Sequence, residues 1–167
     1  VPLVQAHASF LRDHPEISVI IEGHTDERGT PEYNVALGER RAKSVGLHMQ
    51  NLGVEFLDIE EGYISARIPV RKGIINPYGS VHGGALYSVA DIVAGFCACT
   101  YGRYVSTSTG NMVYIAPAMD TEYIYCEARV LHKGNKVASV AVELRSDDAK
   151  LLDTATFTFC LLNREVV

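Results

Sequence analysis

The 167-residue chain lacks several features, and each absence narrows what it can be. It has no internal repeat and no low-complexity run. With 47% apolar and 21% charged residues it has the composition of a globular domain, not of a disordered segment. It has no long basic run, and its net charge is -5 with a pI near 5.6. That balance sets it against nucleic acid or an anionic membrane as a main partner, because nothing is present to neutralise rows of phosphates. No apolar stretch approaches the roughly 20 residues needed to span a bilayer. Cys97, Cys99, Cys126 and Cys160 have no CxxC spacing, which argues against a zinc or redox site; four buried, reduced thiols are expected, as in a reducing compartment. The chain opens on Val1 with neither a Met nor a signal-like leader, so a cut or processed start is expected. The length allows one well-packed domain, or one with a small appendage.

What is there divides into two parts. In the first, "LVQAHASFLR" (3–12) places apolar groups at helical spacing and "ISVIIEGH" (17–24) reads as a short β-branched strand. After the turn "TDERGTP", Thr30 as N-cap and Pro31 as first helical residue predict a helix to about Gln50, closed by Gly53. In the second part, "VEFLDIEEGYISARIPV" reads as two strands around "EEG", with Ile64, Ala66 and Ile68 facing one way. A loop, "RKGIINPYGSV", leads to a helix from about His82 to Tyr101 that is apolar on nearly all sides (Ala85, Leu86, Val89, Ile92, Val93, Phe96), the pattern of a helix wrapped by other structure. Strands follow near 106–116, 121–133, 136–147 and 150–162, separated by "APAMD", "HKGNK" and "SDDAK". A long helix against a curved antiparallel sheet is an α+β arrangement.

The stretch "NPYGSVHGGALYSVAD" (76–91) carries chemistry. Backbone N–H groups of Gly83 and Gly84 at a helix start suit a carbonyl oxygen that gains negative charge, and glycine lets a substrate approach the backbone. Asp91, on an apolar helix, is a carboxylate that is expensive to bury without a role; it would serve as general base for water or as nucleophile. His82 and Asp91 are nine residues apart, about 900° at about 100° per residue, so they point to opposite sides of one helix. To act on one substrate they must come from different subunits, which requires at least a dimer.

This stretch resembles the hotdog fold, and within it the PaaI-type acyl-CoA thioesterases, through Asn76, His82-Gly83-Gly84, Asp91 and the following "NMVYIAPA". The resemblance covers about 46–167 and implies paired subunits with active sites along a shared interface. It implies that Asn76 and His82 orient the thioester carbonyl and that Thr107 holds the attacking water, with Ser106 and Thr109 as neighbouring alternatives. Lys133 and Lys136, flanking the turn beside His132, are candidates for the coenzyme A phosphates. No metal and no cofactor is expected, coenzyme A being part of the substrate. The expected partners are an acyl-CoA and further copies of the chain, as homodimer or homotetramer, in the cytoplasm. Hotdog dehydratases would call for a different acid/base pairing and a second catalytic His.

Residues 1–45 resemble a fragment of the OmpA-like domain of peptidoglycan-associated lipoprotein (Pal) through "EGHTDERGTPEYN" and "LGERRAKSV". That resemblance implies a clamp on diaminopimelate by Asp26 and Arg41, the guanidinium forking onto a carboxylate and the acid taking the ammonium. A 45-residue fragment is below the size that usually folds alone, and the family is periplasmic. The chain therefore reads as a composite, natural or engineered, of an incomplete Pal-like segment (1–45) and a hotdog domain (46–167). Peptidoglycan binding and a folded chimera without activity are the alternatives to thioester hydrolysis.

Overall fold

The computed structural model describes residues 52–166. The helices and strand expected over 3–50, and with them Asp26 and Arg41, lie outside the described residues.

Strands β1 (Glu55–Glu60) and β2 (Tyr63–Pro69) pair antiparallel around the expected turn. Gly62 takes φ +77° there, and a Cβ at this position would stand 2.6 Å from the Tyr101 hydroxyl, so a side chain would be strained and would displace that hydroxyl. On β2 the period of two puts Ile64, Ala66 and Ile68 in the core. After a single 3₁₀ turn (Lys72–Ile74) and a tight loop comes helix α1 (Gly83–Cys99), then β3 (Arg103–Tyr114), β4 (Tyr123–Lys133), β5 (Val137–Arg145) and β6 (Leu151–Glu165). The strands form one antiparallel sheet in the order β1-β2-β4-β5-β6-β3, which leaves β1 and β3 at the edges.

The helix packs on one face of this sheet, against β2 to β6. Its buried residues are Leu86, Val89, Ala90, Val93, Ala94, Cys97 and Ala98, an unbroken three-four spacing down one stripe. Opposite them lie Ile68, Ile124, Cys126, Val140, Leu144, Phe157 and Phe159. Of the residues that suggested a wrapped helix, Leu86, Val89 and Val93 are buried, and Ala85 and Ile92 are partly buried against the same core. The less covered side of the helix carries Gly84, Ser88 and Asp91, and Phe96, 41% exposed, meets the Phe56 ring edge-on at 5.2 Å. The helix ends at Cys99, two residues early, because the Thr100 hydroxyl bonds back to Cys97 O (2.7 Å) and accepts from the Gly62 N–H (2.8 Å), tying the end to the β1–β2 turn.

The cysteines also depart from expectation. Cys97 and Cys126 are buried and Cys99 is half-buried, but Cys160 is exposed, because it takes an outward position on β6. All four are free thiols; burial pushes Cys97 and Cys99 up to about 11 and Cys126 higher still.

Candidate active site

The loop before α1 is shaped by Asn76. Its Oδ1 accepts from the backbone N–H groups of Tyr78 (2.9 Å) and Ser80 (3.1 Å), and Gly79 completes the turn at φ +84°. The side-chain carbonyl of Asn76 is thus engaged by its own loop, which leaves the amide NH₂ as the part able to meet a substrate. The loop is anchored from both sides, with the Val81 N–H donating to Ala118 O (3.0 Å) and the His82 N–H to Ile74 O (2.8 Å).

His82 caps α1. Its Nδ1 accepts from the Gly84 N–H at 2.9 Å, so the ring proton sits on Nε2, which points away as a donor from an exposed side chain. The same bond occupies one of the two amides expected to stabilise an oxyanion. The Gly83 N–H, one of the orphan donors at the helix start, has no acceptor within the described residues. A Cβ at Gly83 would come within 3.1 Å of the Tyr114 ring, whose hydroxyl donates to Gly83 O at 3.1 Å.

Asp91 stands half-buried on the side of α1 that meets β3, and its Oδ1 accepts from the Thr107 hydroxyl at 3.0 Å. Desolvation raises the Asp91 carboxyl above its ordinary value, while the Thr107 bond pulls it back down. Among the described residues Thr107, and neither Ser106 nor Thr109, makes this bond. A bulge in the β3–β6 pairing between Thr107 and Thr109 sets which hydroxyl faces the helix.

His82 and Asp91 are not brought together within one subunit. Nine residues of helical rise separate them by about 13 Å along the axis. Lys133 and Lys136 are exposed and sit at the other end of α1 from His82. The Lys133 ammonium lies 5.2 Å from the Tyr101 ring centroid, and the Arg103 guanidinium donates to Asn135 O at 3.0 Å. Among the described residues no group of three or more His, Cys, Asp or Glu side chains is placed to hold a metal, and no helix is long and apolar enough to cross a membrane.

Sequence reasoning missed Asp153. It lines a pocket of about 350 Å³ with Ser80, Val81, Gly83, Leu86 and Tyr114. The signal was present: in "LLDTATFTF" Asp153 shares parity with Ala155, Phe157 and Phe159, so a strand that buries those three buries the carboxylate as well. Burial without a partner raises it to about 6, and desolvation and the neighbouring Asp153 charge in turn hold the Tyr114 hydroxyl above its usual value.

Comparison with known proteins divides the chain as its motifs do. Residues 78–152 match the family model of the thioesterase superfamily, and residues 2–71 match that of the OmpA family. The OmpA match continues past residue 45 into the residues that form β1 and β2. The peptidoglycan-associated lipoprotein of Pasteurella multocida is 53% identical over 55 residues, 33% of this chain and 37% of that protein. The chain thus spans about a third of the length of the lipoproteins it matches. In structure, the chain is similar to the PaaI protein of the E. coli phenylacetic acid degradation operon, with TM-score 0.70 and 17% identity over 79% of this chain and 96% of that one. It is also similar to a hypothetical thioesterase from Streptococcus pneumoniae solved with coenzyme A, with TM-score 0.69 and 18% identity over 74% of this chain and 98% of that one. At such identities the likeness shows the fold. The chain carries the signatures of two families, OmpA over 2–71 and the thioesterase superfamily over 78–152, the second set on a hotdog fold.

Proposed function

We propose that the hotdog part hydrolyses acyl-CoA thioesters in a site shared between subunits. The observation that carries this is the half-buried Asp91 carboxylate on an otherwise apolar helix, held at 3.0 Å by Thr107. Its Oδ2 has no hydrogen bond among the described residues, so Asp91 acts as general base on a water that the Thr107 hydroxyl also touches. The other half of the site is the helix start of the partner copy. There the Gly83 N–H receives the developing oxyanion, and His82 Nε2–H and the Asn76 amide orient the carbonyl. The thioesterase-superfamily match supports the reaction class, and the coenzyme A held by the pneumococcal protein supports the carrier. Lys133 and Lys136 serve the carrier phosphates.

The shared site requires a homodimer, alone or paired into a tetramer. β3 supplies the surface: it is a 12-residue edge strand with most of its residues exposed, followed at once by exposed Ile115. A long uncovered edge is a template for pairing with a second copy. An acyl-CoA substrate places this part in the cytoplasm. Peptidoglycan binding through Asp26 and Arg41 is a second reading, favoured by the Pal match; because that match covers only 37% of the lipoprotein, and a clamp depends on the packing that sets its geometry, we assign the segment a passenger role.

The test is a hydrolysis screen over short, long and aromatic acyl-CoAs that reads free thiol. Turnover of at least one class is expected; no turnover of any class by assembled protein would remove the hydrolase reading. Single turnover in ¹⁸O water then separates base from nucleophile, since label entering the Asp91 carboxyl would contradict the general-base role.

A further inference from the structure

Asp153 is a carboxylate that neither the sheet nor the proposed hydrolysis uses. It heads the inward stripe of β6, in register with Tyr114 of β3 and Leu144 of β5. It is 1% exposed, and neither oxygen accepts a hydrogen bond from any described residue. A buried carboxylate in that condition is costly unless something pairs with it.

The pocket it lines offers nothing of the kind. The other lining residues include no cation, and the two lining hydroxyls are committed elsewhere, Ser80 to Val81 O (3.4 Å) and Tyr114 to Gly83 O (3.1 Å). The donor must therefore come from whatever enters. Gly83 lines the same pocket, so a thioester whose carbonyl meets its N–H has this pocket, and Asp153 in its wall, within reach of its acyl group. Two orphan oxygens and a negative charge decide between donors. A hydroxyl brings one proton and no charge, whereas an ammonium brings three protons and cancels the charge. A volume of about 350 Å³ admits a short acyl group.

We propose that Asp153 is a specificity-determining residue that selects thioesters whose short acyl group carries a terminal ammonium. This assignment rests on the thioester-hydrolase reading. It is tested with 3-aminopropionyl-CoA, 3-hydroxypropionyl-CoA and butyryl-CoA, whose acyl groups have the same number of heavy atoms, and with the matching non-hydrolysable thioethers in calorimetric titration. For the parent protein kcat/KM for the amino ester should exceed that for butyryl by about 10- to 100-fold, the range of a hydrogen bond to a charged group, with the hydroxy ester well below the amino one. Asp153→Asn, which keeps the shape, and Asp153→Val should each bring the ratio close to unity, with circular dichroism verifying the fold. Turnover without an amino preference, equal preference for the hydroxy ester, or a preference that survives both substitutions overturns the assignment. No turnover with the amino thioether still bound preferentially overturns the hydrolase reading instead and supports the pocket assignment; absence of both overturns both.

Discussion

Asp91 is under two opposed influences, desolvation raising its carboxyl and Thr107 lowering it. Because the base form is the ionised one, activity should be lost as pH falls through the raised value, so the acid limb of kcat/KM should lie above the ordinary carboxylate value of about 4. Thr107→Val removes the lowering bond and should move that limb further up as well as reduce the rate; a pH profile with an unmoved limb would contradict the assignment. Asp153 gives a separate signature in stability. Its folded value of about 6 stands above the unfolded value of about 3.9, so between the two the folded state holds a proton that the unfolded chain has lost. The stabilisation contributed by Asp153 should therefore be fully present below about 4, be lost as pH rises to about 6, and stay absent above it. Urea midpoints across that window test this, and Asp153→Asn should flatten the step. At this scale Asp91 was legible because a carboxylate interrupts an apolar helical pattern. Thr107 was not separable from Ser106 and Thr109, since the bulge that selects it leaves no mark in composition.

Among the elements, α1 and β3 hold the site, and they touch through glycine. A Cβ at Gly110 on β3 would fall on the Tyr87 hydroxyl of the helix and on the ring of fully buried Phe157. Gly110→Ala should therefore cost about 1–3 kcal/mol of stability by overpacking, seen as a lower urea midpoint; a midpoint equal to the parent's would show that the α1–β3 contact yields easily. The order of strands and helix was readable from period-two and period-3.6 patterns, because sheet and helix each bury one face of regularly spaced apolar groups. The edges of elements were less so. His82 reads from sequence as the first residue of a helix, yet its side chain is the cap, and Thr100 ends the helix by a bond to a turn 38 residues away. Long-range contacts of that kind have no local signal.

For the molecule as a whole, the two family signatures have unequal standing in the proposed function. If the first segment is a passenger, Asp26→Ala and Arg41→Ala should leave thioester hydrolysis unchanged, and a diaminopimelate-containing peptide should bind weakly in calorimetric titration. Tight binding abolished by either substitution would show instead that the chain has two functions. The hydrolytic claim depends on assembly. His82 and Asp91 lie about 13 Å apart along one helix, so a working site needs the helix start of one copy and the Asp91–Thr107 pair of another. The most direct measurement is subunit complementation. Asp91→Asn alone should lower the rate by about 10²- to 10⁴-fold, and His82→Ala alone should also be impaired. In a twofold dimer mixed in equal amounts and allowed to exchange, half the dimers are mixed and each has one intact site, so activity should recover to about a quarter of the parent level. No recovery, with exchange demonstrated by labelled subunits, would contradict the shared site.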